Sequence, residues 1–443
     1  MTTVRNASEG VKLAVVAALL ISIQIHTTLP VGTLGLRVSL GDLLLPISLA
    51  LLSARGELRW RELSWRSPGP EMLFLGAASL WLVIAIVHGR VQLGTWQSWA
   101  VLNRGLGWAM LIGYLAFGWA ATAGNRHAIE RFGIKYYLLF FWFYCILSAA
   151  LMITLSHRWF GLTTVAEPTA SAWEQTFGLV TGTSRFQGLV VNPNAFGLLA
   201  VAALALQLPF VKSRRLFSFT GHILGLGISL FGLAWSFSLG SWLGAAAALT
   251  LLAVLRLVDY RALLLSCVVA AGLTAALILF SKASPLPAVY STFDDPVALS
   301  GGVGSLRHRW SLLIETISLW REAPIVGAGV GTFLGRQVPT PADPLATIHS
   351  SYLWLLAETG LLGLAVVGAF FFVVFRRLLR NSAATHDGEL GAAGAALLFA
   401  FGAEAIALDA LYQRHLWFII GVALASIQCS QDQRITVRPL LTL

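Results

Sequence analysis

The stretch "HSSYLWLLAETGLLG", residues 349–363, places a histidine, two serines and a glycine pair at the mouth of an otherwise apolar segment. A hydrocarbon core of about 30 Å requires roughly 20 apolar residues to cross it. Comparable apolar runs recur along the chain, and twelve are counted, starting near residues 11, 38, 71, 99, 135, 188, 217, 241, 262, 351, 390 and 413. The sequence therefore predicts an all-α polytopic membrane protein of about twelve transmembrane helices, in a single domain over residues 1–443.

The composition agrees with this prediction. Hydrophobic residues make up 57% of the 443 residues and charged residues only 11%, with a mean hydropathy of +0.76, which leaves too little polar surface for a soluble globule. The net charge of +10 does not indicate a nucleic-acid partner, because no soluble domain is available to carry a basic face. Cys145, Cys267 and Cys429 lie in or beside apolar runs without ligand spacing and are predicted to be buried thiols.

The distribution of basic residues predicts the orientation. With the N-terminus inside, nineteen of the thirty basic residues fall in cytoplasmic segments, and the short outer loops hold only five. The positive-inside rule then places both termini in the cytoplasm. It also places one long loop, residues 282–350, on the outer face, and a loop of this length is unusual unless it is functional.

One amphipathic helix is predicted within this loop. Apolar residues recur there at spacings of three and four, a stripe suited to lying in the membrane interface. The residues of the stripe are Leu306, Trp310, Leu313, Ile314, Ile317 and Trp320. Arg307 and Arg309 flank the stripe and are expected at headgroup level.

The outer ends of the spans carry the polar residues that could do chemistry. Arg185 lies in "TSRFQGLVVNPNAFG" (183–197), where Asn192, Pro193 and Asn194 interrupt the start of a span. Proline lacks an N–H group, and backbone polar groups inside a membrane must form hydrogen bonds within the protein. This break is therefore expected to leave backbone and amide groups free at the surface.

Further basic residues are expected at the same depth. Arg307, His308 and Arg309 lie in "SLRHRW" (305–310), and His349 follows the long loop. Guanidinium groups fit phosphate oxygens, and an imidazole can accept a proton near neutral pH. These residues predict an anionic substrate and one proton transfer. The alternative is that the arginines only contact lipid headgroups and the histidine caps its span.

Other candidates are less specific. Arg104 and Glu404 are the charged residues deepest in the spans, and either could pair with the other or with backbone carbonyls; the role of Asp409 is also left open. The glycines of "PIVGAGVGTF" (324–333) permit close backbone approach. They do not form a nucleotide fingerprint, because no strand precedes them. No cofactor and no metal site are expected.

At this point the motifs resemble those of the O-antigen ligase and polymerase superfamily of bacterial inner membranes. His349-Ser350 followed after nine residues by Gly360-x-x-Gly363 resembles the ligase signature. The stretch "RWSLLIETISLWREAPIVGAGVGTF" (309–333) is similar to the shared Arg…Pro-x-x-Gly-x-Gly segment, and "RFQGLVVNPNAFG" (185–197) to a second shared element. The chain departs from many members at residues 238–240, where "SLG" replaces a Ser-Arg turn.

The resemblance implies a GT-C-like fold and a metal-independent, inverting glycosyltransferase. Its donor would be O-antigen on undecaprenyl diphosphate and its acceptor a sugar hydroxyl of the lipid A core, joined at the periplasmic face. It implies catalytic roles for His349 as base and for Arg185 and Arg309 at the diphosphate. The implied substrate-binding residues are Arg307, His308, Asn192, Asn194, Ser350, Tyr352, Gly360 and Gly363.

Two other functions stay open from the sequence. A polymerase would use the same donor and a lipid-linked repeat as acceptor, although the histidine motif favours a ligase. A transporter or flippase would need polar residues along a whole path through the membrane and paired inverted repeats. The polar candidates here instead cluster at one face, which favours an enzyme.

Overall fold

The computed structural model describes residues 2–29, 36–56, 58, 69–123, 133–159, 186, 190, 192–281, 303–337, 347–384 and 388–437. Fifteen α-helices are found in these ranges: α1 Thr2–Ser22, α2 Leu40–Ala54, α3 Pro70–Leu93, α4 Gly107–Thr122, α5 Lys135–Trp159, α6 Pro193–Gln207, α7 Phe219–Ser236, α8 Leu239–Val254, α9 Tyr260–Ser281, α10 Val303–Glu322, α11 Thr332–Gly335, α12 Ser351–Trp354, α13 Gly360–Ala384, α14 Glu389–Glu404 and α15 Arg414–Val437. Two π-helical turns, Ala100–Leu106 and Leu355–Thr359, lead into α4 and α13.

The helices make this a multi-pass membrane protein. Within the described residues, six helices are long and apolar enough to cross a membrane, and five shorter helices are apolar. A helix lies at each of the twelve segments predicted from the sequence. The number of twelve crossings itself stays a prediction.

The helical content agrees with the predicted all-α class, to which the structure adds one short hairpin. Strands β1 (His26–Leu29) and β2 (Leu36–Ser39) pair antiparallel between α1 and α2. Their threonine and valine residues favour extended backbone, and the strands are too short to change the hydropathy pattern. Ser39 then starts α2 through a capping box: its Oγ accepts from the Asp42 N–H at 3.1 Å, and its own N–H donates to the Asp42 carboxylate at 2.8 Å.

The helices differ strongly in burial. Helix α6 is almost wholly enclosed by α7, α8 and α14, whereas α9 contacts the bundle mainly through α7 and leaves most of its surface exposed. Glycines bring α4 and α15 close together, because a Cβ at Gly118 would strike the Phe418 carbonyl and one at Gly421 the Leu115 carbonyl. The core therefore lies along α4, α6, α14 and α15.

The prediction for the cysteines is correct at one position and wrong at another. Cys145 is buried, but Cys267 on α9 is exposed. An apolar residue on a peripheral membrane helix can face lipid as readily as protein, so hydropathy did not distinguish the two. The side chain of Cys429 lies outside the described residues.

Candidate active site

Two of the sequence motifs meet through their main chains. The loop at 324–331 lies against the π-helical turn Leu355–Thr359 and the start of α13. The Ala328 and Gly329 N–H groups donate to the carbonyls of Ala357 at 2.9 Å and Glu358 at 3.0 Å. In return the Leu361 N–H donates to the Pro324 carbonyl at 3.0 Å. The loop of the first motif is thereby fixed to the helix that follows His349.

The glycines of both motifs are required by this contact. Gly327, Gly329 and Gly360 have φ angles of +78°, +97° and +71°, in the left-handed region that other residues rarely adopt. A Cβ at Gly327 would overlap the backbone at Glu358, and a Cβ at Gly360 would overlap that at Ile325. The predicted close approach of backbones at these glycines is confirmed, and the π-helical turn supplies the carbonyls that the loop binds.

Helix α3 closes the other side of the loop. The Val330 N–H donates to the Ala85 carbonyl at 2.8 Å, and Gly89 faces the Val330 carbonyl without room for a Cβ. The indole of Trp81 donates to the Thr359 carbonyl at 2.8 Å, beside Gly363. Three elements thus form one backbone-linked frame, here called the glycine frame: α3, the loop at 324–331 and the turn at 355–359.

Glu358 is a buried carboxylate that sequence reasoning missed. It accepts from the Trp354 indole at 2.7 Å and from the Phe333 N–H at 3.1 Å. Its signal in the sequence is its position as the sole acidic residue in the apolar segment at 349–363. These bonds join the end of the loop to the turn below His349.

His349 is exposed and directly precedes the cap of α12. The Ser350 hydroxyl accepts from the Leu353 N–H at 3.3 Å and donates to the Ala405 carbonyl at 3.0 Å. The Tyr352 hydroxyl donates to the Gly402 carbonyl at 2.9 Å. These two predicted substrate-binding residues therefore attach the histidine segment to the end of α14, and a role in binding substrate stays a prediction.

Arg104 pairs with Asp409 and not with Glu404. Its Nη1 lies 2.7 Å from Asp409 Oδ2, whereas the Glu404 carboxylate is buried beside Gly244 on α8. Of the two alternatives left open for Arg104, pairing with Glu404 is wrong, because the loop after α14 brings the Asp409 carboxylate to the guanidinium.

The predicted basic residues are only partly placed. Arg307, His308 and Arg309 lie on α10, which packs against α12 and the turn at 355–359, but their side chains are outside the described residues. Arg185 is also outside the described residues. The backbone of α10 thus lies beside the histidine segment, while the diphosphate contacts expected from these arginines stay predictions.

Asn192 is a helix cap, a role that the sequence pattern alone did not predict. Its Oδ1 accepts from the N–H groups of Asn194 at 2.8 Å and Ala195 at 3.2 Å, and so caps α6. The expectation that this break leaves the Asn192 amide oxygen free is wrong, because the cap satisfies the first turn of the helix. Binding of substrate by Asn192 or Asn194 stays a prediction.

The family comparison covers two of the three elements of this frame, the loop at 324–331 and the turn at 355–359. Residues 224–368 match the family described as O-Antigen ligase.

This segment is similar to the O-antigen ligase family.

The predicted resemblance to the O-antigen ligase and polymerase superfamily is thereby confirmed. The matched segment spans about a third of the chain and includes both motifs of the glycine frame and His349. No curated protein matches the chain. Within the described residues, no group of three or more His, Cys, Asp or Glu is arranged to hold a metal ion.

Proposed function

We propose that the chain is an O-antigen ligase of the bacterial inner membrane, with both termini in the cytoplasm. It would transfer O-antigen from undecaprenyl diphosphate to a sugar hydroxyl of the lipid A core at the periplasmic face. The observation that carries this proposal is the glycine frame, because it joins the two motifs of the matched segment and leaves the adjoining His349 exposed. An exposed imidazole on an anchored segment is suited to act on a substrate at headgroup depth.

His349 serves as the general base. Its imidazole takes the proton from the acceptor hydroxyl as the hydroxyl oxygen bonds to the anomeric carbon, and the bond from that carbon to the diphosphate oxygen breaks. General base catalysis of this kind contributes about 10²–10⁴ in rate. A single displacement inverts the configuration at the anomeric carbon, whereas retention needs a nucleophilic carboxylate.

The arginines serve the leaving group. Arg185 and Arg309, assisted by Arg307, would bind the diphosphate and neutralise the charge that grows as the glycosidic bond breaks. His308 would assist them from its position between Arg307 and Arg309 on α10. With the charge matched in this way, the diphosphate leaves without a metal ion or a general acid.

The first test is a transfer assay with purified protein, lipid-linked O-antigen and lipid A core, in the presence of EDTA. We expect product from the wild type and a loss of about 10²–10⁴-fold in His349→Ala. His88→Ala is the matched control, since His88 lies at the outer end of α3 and bonds Gln92 at 3.1 Å. It should retain full activity.

The other outcomes are equally informative. Extension of lipid-linked repeats without transfer to the lipid A core would assign the chain as a polymerase. Equal activity of wild type and His349→Ala would remove the histidine from the mechanism.

A further inference from the structure

Asp409 links two residues on different helices. It lies in the short loop between α14 and α15, and each of its carboxylate oxygens has a partner. Oδ2 accepts from Arg104 Nη1 at 2.7 Å, and Oδ1 accepts from the Ser351 hydroxyl at 3.2 Å. Ser351 is two residues after His349, so this carboxylate connects the turn before α4 to the histidine segment.

Both the backbone and the side chain of Ser351 form hydrogen bonds with the loop that carries Asp409. Its N–H lies 3.1 Å from the Ala405 carbonyl and 3.2 Å from the Leu408 carbonyl. Its hydroxyl accepts from the Leu411 N–H at 3.2 Å. A shift of Asp409 would therefore shift the backbone at Ser351 and, with it, the residues just before it.

Arg104 is held rigidly on the far side of the carboxylate. Its guanidinium carbon lies 4.1 Å from the Trp354 ring centroid, 4.4 Å from that of Trp99 and 4.6 Å from that of Tyr412. The Tyr412 hydroxyl donates to the Arg104 carbonyl at 3.1 Å. A planar cation stacked among three rings and paired with a carboxylate has little freedom to move.

The burial of the pair is asymmetric. Arg104 is 3% exposed and Asp409 is 32% exposed. A charge buried in a membrane protein is costly, and apolar residues could join these helices at lower cost. The pair instead aims a fixed carboxylate at the serine that follows the exposed His349 by two residues.

We propose that Asp409 is a positioning residue, which Arg104 holds in place and which sets the direction of His349 through Ser351. The inference rests on the proposed role of His349 as base and adds the residues that aim it. The hydroxyl of the acceptor then meets the imidazole in a single orientation, and the rate depends on this orientation.

Four variants test the proposal. Asp409→Asn keeps an acceptor for Ser351 but loses the charge that pairs with Arg104. Ser351→Ala removes the hydroxyl and leaves the ion pair in place. The double variant combines both changes. Glu71→Gln is the matched control. Glu71 pairs with Arg377, so this variant breaks an ion pair between α3 and α13 at the ends of these helices that are far from His349.

The first readout is steady-state transfer. We expect kcat to fall about 10- to 100-fold in Asp409→Asn and in Ser351→Ala, since a misplacement of about 1 Å can cost this much. KM for the lipid-linked donor should stay within about threefold. The double variant should lose no more than the worse single variant, because residues in one chain of contacts act non-additively. Glu71→Gln should keep the wild-type kcat.

The second readout needs no turnover. Diethyl pyrocarbonate carbethoxylates exposed imidazoles, and mass spectrometry of the peptide containing His349 gives the rate at that residue. We expect this rate to change in Asp409→Asn and Ser351→Ala and to be unchanged in Glu71→Gln. If Asp409→Asn does not fold, Ser351→Ala carries the test, since it retains the Arg104–Asp409 pair.

The results separate this inference from the proposed function. Wild-type labelling rates at His349 in both single variants, or kcat losses that multiply in the double variant, would overturn the positioning role. Full transfer by His349→Ala would instead overturn the role of the base, whatever the labelling shows. A kcat loss of similar size in Glu71→Gln would show that any broken ion pair has this effect, and would also overturn the inference.

Discussion

Gly329 is one of the residues at which the glycine frame has no room for a side chain. Its φ of +97° costs another residue about 1–2 kcal/mol, and a Cβ there would overlap the backbone of Gly89 on α3. We expect Gly329→Ala to lower the midpoint of thermal unfolding in detergent, followed by tryptophan fluorescence.

Gly76→Ala is the control for this prediction. Gly76 lies on α3, the helix that carries Gly89, and a Cβ added there would have no neighbouring atom within 4 Å among the described residues. Alanine in a helix interior is favoured over glycine by about 0.5–1 kcal/mol, so this variant should unfold at the wild-type temperature or above. Equal midpoints for Gly329→Ala and wild type would contradict the close approach at Gly89.

Individual residues differ in how well the sequence predicts them. The close approach of backbones at the motif glycines can be predicted from the sequence, because glycine is the residue type that fits such contacts. The partners of Glu358 and Asp409 do not follow, since Phe333 and Arg104 are distant in sequence and only the fold brings them near. Buried charges reveal that a partner is needed, but not which one it is.

Helix α10 shows that hydropathy predicts a helix without identifying which of its faces is buried. The sequence correctly predicts a helix here, yet the face buried against the protein is formed by Leu312, Thr316 and Leu319. The predicted apolar stripe instead includes Trp310, 64% exposed, and the exposed Ile314 one turn later. Lipid is as apolar as a protein core, so hydropathy alone does not distinguish a side chain facing lipid from one facing protein.

This arrangement predicts that the stripe of α10 faces lipid. In a Cys267→Ser background, a nitroxide placed by Trp310→Cys should collide readily with oxygen and poorly with a water-soluble nickel chelate in nanodiscs. Glu315→Cys, also exposed but polar, should show the reverse preference. Equal accessibility to the two reagents at both positions would contradict the interfacial placement of the stripe.

Across the whole molecule, length and hydropathy predicted the order of the helices well. Each of the twelve predicted segments has a helix, because a run of about 20 apolar residues has few other stable forms in lipid. The β1–β2 hairpin was missed, since four-residue strands lie below the window over which hydropathy is summed.

The predicted orientation can be checked in cells. Thr95 and Ser213 are both exposed, in the loops after α3 and α6. In a Cys267→Ser background, Thr95→Cys should react with a membrane-impermeant maleimide in intact spheroplasts. Ser213→Cys should react only after lysis. The opposite pattern would invert the orientation and would place the histidine segment in the cytoplasm.

The glycine frame also bears on how such a protein can diversify. The loop at 324–331 is bound through its main chain, while the side chains of Ile325 and Val326 are 61% and 42% exposed. The backbone of this loop therefore holds the structure together, while the side chains of the same residues form its surface. Mutations can change the surface at these two positions without loosening the scaffold, so related chains can differ on this face while inheriting one architecture.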